Sequence, residues 1–329
     1  MSRHRRPSRH HLTHRDPEPQ TLPTIAQLLQ IHPRFMRSVY LERDMADPSS
    51  SRGYILTLTA EQAFQRIAAS FRTNSTQRAW RIAGDYGSGK TDFALALARV
   101  AAGRTNELPK ELHRFVPRQR FLPLLATGDH EPLAHTLLRA LGRRTRPGRV
   151  SSEEIIAFIS EASAKGDRKG YSGTILILDE LGKNLEYAAS HPDQDDIFLL
   201  QRLAEEASRS GASPLVVVGI LHQAVTAYAG SLHLAGKREW TKIAGRFEEI
   251  VYAHHLEQVA ALLAATLRLQ IEHLPKPIRE ESKTAMRTAI SLGLYGASAA
   301  DSLSRAKGHS PNAGQLRHRQ DPSGRCDRP

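Results

Sequence analysis

Apolar residues occur along this chain in two alternating patterns, short continuous runs and longer stretches with helical spacing. The continuous runs predict buried β-strands at residues 79–83, 121–126, 174–178 and 214–219. The stretches between them predict helices over residues 92–100, 131–142, 151–165 and 194–210. Because strands and helices alternate, we expect an α/β fold with a mainly parallel sheet that is covered by helices on both faces.

The first part of the chain gives weaker patterns. Residues 1–23 contain Arg, His and Pro with almost no apolar side chains, which predicts a disordered basic arm. Apolar side chains between Ile25 and Leu29 predict a short helix, which Pro33 limits. Residues 44–53 are rich in Asp, Pro and Ser and predict a loop.

Two further segments bear on the boundaries of the fold. Residues 54–58 predict an extended segment, followed by a helix from Thr59 to about Arg72. Thr59 is the expected N-cap of this helix, because Gln62 follows at the spacing of a capping box. At the other end of the fold, residues 257–272 predict a helix, and we expect no strand after this point.

The sequence GDYGSGKT at residues 84–91 has the spacing G-x-x-x-x-G-K-[ST] of a phosphate-binding loop. It follows a predicted strand and precedes a predicted helix, the order in which backbone N–H groups and a helix N-terminus bind phosphate. The lysine contributes a point charge and the threonine hydroxyl a ligand for Mg²⁺. The predicted nucleotide-binding residues are Gly84, Asp85, Tyr86, Gly87, Ser88, Gly89, Lys90 and Thr91.

A second motif, ILILDE at residues 175–180, is an apolar strand that ends in two acids. The carboxyl ends of parallel strands form the ligand-binding edge of an open α/β sheet, so Asp179 is predicted to hold Mg²⁺ together with Thr91. Glu180 is predicted to polarise the water that attacks the terminal phosphate, because a carboxylate can accept its proton. A solvated acid pair at the end of a buried strand is the alternative interpretation.

Two later segments carry candidate polar groups. His222 and Gln223 follow the strand of residues 214–219, and one of them is predicted to contact the terminal phosphate; a pair that caps a helix or lies in a loop is the alternative. Arg246, in AGRFEEI, is a candidate arginine finger that would stabilise charge on the phosphoryl group of a neighbouring subunit's nucleotide. An ordinary surface or ion-paired arginine is the alternative here.

The segments GDYGSGKT, ILILDE, VVVGILHQ and AGRFEEI, in this order, resemble the Walker A, Walker B, sensor-1 and arginine-finger segments of the AAA+ ATPases, near the origin-recognition and signal-transducing (STAND) branch. The segments DELGKNLEYAA, GILHQAVTAYAG and REWTKIAGRFEEI are similar to large bacterial ATP-binding proteins, some of them associated with phage defence. The resemblance covers residues 54–270. It implies a three-layer P-loop NTPase domain, ATP and Mg²⁺ as ligands, catalytic roles for Glu180, Lys90, Arg246 and His222, and a homo-oligomer or larger complex.

This sequence departs from the AAA+ pattern at three places. Sensor 1 is typically Asn or Thr in such proteins, a sensor-2 arginine and a complete helical lid are not evident after residue 270, and residues 291–329 change to Gly, Ser, Arg and Pro without periodicity. We therefore predict an ATPase domain over residues 24–255, a partial helical lid over 256–290 and a disordered tail over 291–329. The change of composition in that tail leads us to expect the N-terminal part of a longer protein.

The cysteine content, the length of the apolar runs and the distribution of charge limit the classes of function that this protein can have. One cysteine among 329 residues excludes a disulfide framework and fits a cytoplasmic protein, and the absence of any apolar run near 18 residues argues against a membrane span. Of the net charge of +12, residues 1–15 contribute five arginines without an acid, and residues 305–329 contribute six basic residues against two acids. These basic tails are candidates for contacts with DNA or RNA, and solvated disorder is the alternative.

Three functions therefore remain open at the level of the sequence. The first is Mg²⁺-dependent ATP hydrolysis that drives a conformational or assembly switch. The second is phosphoryl transfer to a small acceptor by the same loop, although the pair of Asp179 and Glu180 favours water as the acceptor. The third is a non-catalytic fragment that binds nucleic acid through its tails.

Overall fold

The computed structural model describes residues 29–31, 33–144, 150–192, 196–269 and 276–292. The strands within these ranges are β1 (Leu29–Ile31), β2 (Ala79–Ala83), β3 (Phe121–Thr127), β4 (Gly173–Asp179), β5 (Leu215–Leu221), β6 (Glu248–Val251) and β7 (Leu267–Leu269). The α-helices are α1 (Leu41–Ala46), α2 (Leu58–Ala68), α3 (Lys90–Ala101), α4 (Leu133–Ala140), α5 (Ser152–Asp167), α6 (Leu181–Ser190), α7 (Asp196–Arg209), α8 (Val225–Tyr228), α9 (Leu234–Ala244), α10 (Leu256–Thr266) and α11 (Lys276–Ser291). Short 3₁₀ helices within the same ranges lie at Pro33–Met36, Pro48–Ser51, Ala69–Phe71, Lys110–Phe115 and Ala229–Ser231.

Five strands form one parallel sheet in the order β3-β4-β5-β2-β6. Every residue of β4 and β5 is buried, as the continuous apolar runs predict for central parallel strands. In this order β5 lies between β4, which ends in the acids, and β2, which leads into the phosphate loop. The side chain after β5 is therefore placed between the two motifs.

Helices pack on both faces of this sheet, and two separate apolar clusters result. One face is covered by α1, α2 and α3, whose buried side chains include Phe64 and Phe93. The other face is covered by α4 to α7 and α9, with Leu137 and Leu203 among the fully buried residues. The prediction of a three-layer α/β fold with a parallel sheet is confirmed.

The strands and helices predicted between residues 79 and 219 are present, with boundaries that differ by a few residues. The four strands from apolar runs correspond to β2, β3, β4 and β5, and the helices correspond to α3, α4, α5 and α7. The helices α6 and α9 were not predicted, and neither has a capping side chain at its N-terminus. The edge strand β6 was not predicted either, because it has only four residues, two of which are glutamates. The two helices belong to the layer that also contains α7, and β6 forms the edge of the sheet beside β2.

The predicted loop at 44–53 is wrong. This segment contains the end of α1 and the 3₁₀ turn Pro48–Ser51, and the reason is a tertiary contact. The guanidinium of Arg99, which is 3% exposed, donates to the carbonyl oxygens of Asp44 at 2.8 Å and Asp47 at 2.5 Å. A buried arginine therefore satisfies the carbonyl groups at the ends of two short helical turns.

The start of α2 also differs from the prediction. The helix begins at Leu58, and Thr57 caps it by accepting a hydrogen bond from the Ala60 amide at 3.1 Å. The Thr59 hydroxyl instead donates to the Ala253 carbonyl oxygen at 2.9 Å. Residues 54–57 join no sheet, so the extended segment is not a strand. The helix gives way at Ala69 to a 3₁₀ turn that ends at Phe71.

Predictions for the two ends of the fold are also corrected. The expected helix after residue 256 ends at Thr266, and the next residues form β7 although no strand was expected. β7 pairs antiparallel with β1, so Leu29–Ile31 is a strand where a helix was predicted. Two short strands that are more than 200 residues apart stabilise each other, and neither has a recognisable local pattern. Residues 24–28, the basic arm at 1–23 and the tail beyond 292 lie outside the described residues.

In the part of the chain that the structure describes, no helix is both long enough and apolar enough to cross a membrane.

Candidate nucleotide-binding site

The phosphate loop connects β2 to α3 at the carboxyl edge of the sheet. Gly87 and Gly89 adopt positive φ angles of 74° and 86°, which a residue with a side chain would adopt only with strain. Gly84 is required for a different reason, because a Cβ at this position would lie 2.2 Å from the Tyr252 carbonyl oxygen. The loop therefore leads directly into the N-terminus of a 12-residue helix, where backbone N–H groups favour an anion.

Lys90 lies beneath this loop and is 5% exposed. Its Nζ donates to the carbonyl oxygens of Gly84 at 2.5 Å and Asp85 at 2.7 Å and lies 3.4 Å from the Ser88 Oγ. Burial lowers the pKa of Lys90 from its ordinary value, and the negative charges of nearby carboxylates only partly offset this effect. A phosphate group would give the ammonium a stronger partner than these carbonyl oxygens.

The acid motif meets the loop, as predicted. Asp179 is 4% exposed at the end of β4, and the Thr91 hydroxyl hydrogen-bonds to its carboxylate. Burial raises the pKa of Asp179, while the hydrogen bonds from Thr91 and from the Glu180 amide act in the opposite direction. A carboxylate and a hydroxyl in contact form a set of hard oxygen ligands, which is the kind that Mg²⁺ prefers.

Glu180 follows directly and has an unusual backbone conformation. Its φ and ψ of 52° and 29° are left-handed, and it is the one non-glycine residue with positive φ in the described ranges. Gly128 lies against this turn, because a Cβ there would be 2.5 Å from the Glu180 carbonyl oxygen. Non-glycine residues in this conformation are strained and cluster at functional sites. The turn directs the carboxylate towards the end of the neighbouring strand β5.

The residue that it meets is His222. The Nε2 of His222 lies 3.1 and 3.2 Å from the two carboxylate oxygens of Glu180, and the imidazole stacks on the Tyr86 ring with centroids 3.5 Å apart. Lys183 Nζ is a more distant partner, 3.9 Å from the same carboxylate. Gln223, the other sensor candidate, is exposed. Of the two candidates, the structure therefore brings His222 into contact with the acid pair.

Arg246 lies elsewhere. It precedes β6, which is parallel to β2, so it is located at the amino-terminal edge of the sheet, opposite the phosphate loop. Its Nη2 lies 3.2 Å from the Glu205 Oε1, and its side chain is 46% exposed. The guanidinium therefore does not belong to the constellation formed within its own chain, and the predicted role towards a neighbouring subunit stays a prediction.

A cleft of about 220 Å³ opens beside the phosphate loop, on the side of α10. It is lined by the loop glycines, by the segment before α2 and by the residues after β6, among them Tyr54, Thr57, Tyr252, His254 and Leu262. Its walls are mostly apolar with a few polar groups, which is the usual composition of a site for a nucleoside. The cleft is continuous with the loop through the shared residues Gly87, Ser88 and Gly89.

His254 connects this cleft to the helix α10, and sequence analysis gave no hint of it. Its Nε2 lies 3.0 Å from the Ser88 carbonyl oxygen, and its Nδ1 lies 3.0 Å from the Gln258 Oε1. The same Oε1 lies 2.9 Å from the Thr59 hydroxyl. The phosphate loop, α2 and α10 thus share one hydrogen-bonded chain.

Comparisons with known proteins give partial similarities to solved structures, including the two that follow. No protein-family profile and no curated protein matches the chain. The Aeropyrum pernix ORC1 protein in complex with DNA shows 18% identity and a TM-score of 0.42 over 68% of this chain and 52% of that chain. The Aeropyrum pernix ORC2 protein in ADPNP and ADP complexes shows 15% identity and a TM-score of 0.45 over 65% of this chain and 54% of that chain.

Both neighbours are ORC proteins of Aeropyrum pernix. This chain spans about half of the length of each of them. A likeness of this extent concerns the course of the chain alone and says nothing about what this protein binds.

Proposed function

We propose that this chain binds ATP with Mg²⁺ and hydrolyses it to drive a conformational or assembly switch. The observation that carries the proposal is the hydrogen bond between Thr91, the last residue of the phosphate loop, and Asp179, the first acid after β4. The two motifs are 88 positions apart in the sequence, and the sheet order brings them together at one edge.

Binding is supported by the charge and backbone geometry of the loop. The buried Lys90 and the N–H groups at the start of α3 are suited to the β- and γ-phosphates. Thr91 and Asp179 would hold Mg²⁺, which neutralises charge on the phosphate oxygens when it is bound. The cleft beside the loop has mostly apolar walls, which are suited to contact a nucleoside.

Hydrolysis requires a group that orients water at the terminal phosphate. Glu180 is suited to this role because its strained turn points the carboxylate to the end of β5, between the acid strand and the loop. His222 is suited to hold that carboxylate and to contact the γ-phosphate. In phosphoryl transfer by such sites, catalysis is mostly positioning and charge neutralisation.

A second subunit enters this proposal through Arg246. Because this arginine is half exposed at the far edge of its own sheet, it could reach a nucleotide only across an interface. A homo-oligomer or larger complex in the ATP state is therefore part of the proposed switch. Contacts of the basic tails with DNA or RNA remain a prediction, since the tails lie outside the described residues.

The direct test compares Glu180→Gln with Lys90→Ala. We expect Glu180→Gln to bind a fluorescent ATP analogue like the wild type but to release phosphate at least about a hundredfold more slowly, because the side chain keeps its size and loses its basicity. Lys90→Ala should weaken binding itself, because it removes the charge that faces the phosphates. Unchanged turnover in purified Glu180→Gln would reject the assignment of the water-activating group.

The same assay separates the rival functions. Phosphate release without an added acceptor identifies hydrolysis, whereas a phosphotransferase would require an acceptor. A non-catalytic nucleic-acid-binding fragment would show salt-dependent binding to DNA that survives Lys90→Ala and is lost when residues 1–20 are deleted.

A further inference from the structure

One aromatic contact in the site has no role in the phosphate-loop motif. Tyr86 belongs to the loop by sequence, but its side chain is 77% exposed, and its ring lies flat on the His222 imidazole, with centroids 3.5 Å apart and planes inclined by 20°. The phosphate-binding geometry of the loop depends on its glycines and its lysine, and any residue would satisfy the motif at position 86. The ring therefore calls for a separate explanation.

The imidazole of His222 has few other restraints. Because a carboxylate only accepts hydrogen bonds, Nε2 carries the proton in the contact with Glu180. The opposite nitrogen, Nδ1, is buried and has no hydrogen-bond partner within the described part of the chain. The ring is thus hydrogen-bonded through one nitrogen, and the stack with Tyr86 is a second contact that orients its plane.

The backbone beneath His222 is held independently of this stack. The Tyr228 hydroxyl hydrogen-bonds with the backbone of His222 and Gln223, and it packs so closely on α6 that a Cβ at Gly182 would lie 2.4 Å from it. The main chain at the end of β5 is therefore fixed, and the side-chain torsions of His222 are the freedom that remains. Tyr86 therefore contacts the part of His222 that the backbone hydrogen bonds leave unrestrained, its side chain.

We propose that Tyr86 is a positioning residue for hydrolysis, which holds the His222 imidazole in the plane that keeps Nε2 on the Glu180 carboxylate. The inference rests on the proposed function and deepens it, since it assigns a residue that acts through His222 rather than on ATP. It also explains why an aromatic side chain on the loop points to β5 instead of to the phosphate site. The phosphate loop and the water-activating acid are thereby joined through one ring stack.

The test uses two variants of the whole chain at the same position. Tyr86→Phe keeps the ring and loses the hydroxyl, so we expect kcat within about twofold of the wild type. Tyr86→Ala removes the stack, so we expect kcat to fall by about two- to tenfold while KM changes by less than about twofold. A side chain with this exposure is not needed for folding, and thermal unfolding of both variants checks that point.

Two further readouts distinguish positioning from a general loss of activity. In the His222→Asn background, which lacks the imidazole, Tyr86→Ala should cause no additional loss of kcat, because its effect passes through that ring. In ¹³C-histidine NMR spectra, the His222 signal, identified by its loss in His222→Asn, should be shifted upfield in the wild type and in Tyr86→Phe but not in Tyr86→Ala.

Each contrary result overturns the proposal. An effect on KM alone would show that Tyr86 binds nucleotide, and additive losses in the His222→Asn background would show that it does not act through the imidazole. An identical His222 signal in wild type and Tyr86→Ala would show that the stack is absent. If the wild type hydrolyses ATP and Tyr86→Ala matches it, only the positioning role fails; if the wild type hydrolyses no ATP, the proposed function fails and this role fails with it.

Discussion

The left-handed backbone of Glu180 leads to a prediction in which stability and activity change in opposite directions. A side chain at φ 52° and ψ 29° brings its Cβ close to the following carbonyl oxygen, whereas glycine adopts this conformation freely. We therefore expect Glu180→Gly to be more stable than Glu180→Ala, although both variants lose the carboxylate. Both also lose the contacts with His222 and Lys183, so the comparison isolates the backbone.

The expected difference in stability between Glu180→Gly and Glu180→Ala follows from two opposing contributions. The left-handed conformation costs a residue with a Cβ about 1–2 kcal/mol. Glycine gives back about 0.4–1 kcal/mol because its unfolded chain has more conformational freedom. The glycine variant should thus be more stable than the alanine variant by roughly 0.5–1 kcal/mol, which corresponds to about 1–4 °C in Tm for a domain of this size.

The measurement is denaturant unfolding of wild type, Glu180→Gly and Glu180→Ala, with Glu180→Asn as a fourth protein. Asparagine tolerates left-handed backbone better than alanine, so its stability should lie between the other two variants. Phosphate release should be lost in all three, because each lacks a carboxylate. If the glycine variant is no more stable than the alanine variant, the strain does not exist, and the argument that the fold holds this acid under strain fails.

Two further predictions concern the scaffold. Gly84→Ala would place a Cβ 2.2 Å from the Tyr252 carbonyl oxygen, so we expect the unfolding free energy to fall by roughly 1–3 kcal/mol. The control is Gly211→Ala, whose Cβ would meet no atom within 4 Å and which should lose almost no stability. Equal losses in the two variants would contradict the close approach at Gly84. Burial acts to raise the pKa of Asp44, but hydrogen bonds from the Tyr40 amide and a neighbouring guanidinium outweigh it, and the pKa lies below 3.8. The stabilisation that results is complete at pH values above the pKa of Asp44 in the unfolded chain. It is lost as the pH falls through the pKa of Asp44 in the folded protein. The stability difference between wild type and Asp44→Asn should therefore shrink from about pH 5 to about pH 3, and a constant difference would refute the assignment.

The sheet and its motifs could be predicted because their signals are local. The runs that become β4 and β5 are continuous in the sequence, and a fully buried parallel strand needs no more than such a run. Once two such strands are assigned, the rule that ligands bind at their carboxyl ends brings Asp179 to the phosphate loop. The predicted meeting of the two motifs is seen in the hydrogen bond from Thr91.

The remaining features depend on contacts between distant residues that no local pattern encodes. His254 and Ser88 are 166 positions apart, and the histidine is recognisable as part of the site only after β6 has been placed beside β2. The same holds for Arg99, which orders a segment that is a loop by its sequence alone.

The site itself combines both kinds of information. The glycines, the lysine and the acids carry the chemistry of phosphate binding in their spacing, and their positions follow from the order of the strands. The orientation of Glu180 towards His222 follows instead from one strained torsion and one ring stack, and neither leaves a trace in composition or periodicity. Sequence motifs therefore predict which groups meet at this sheet edge, whereas long-range packing determines how the Glu180 carboxylate is oriented.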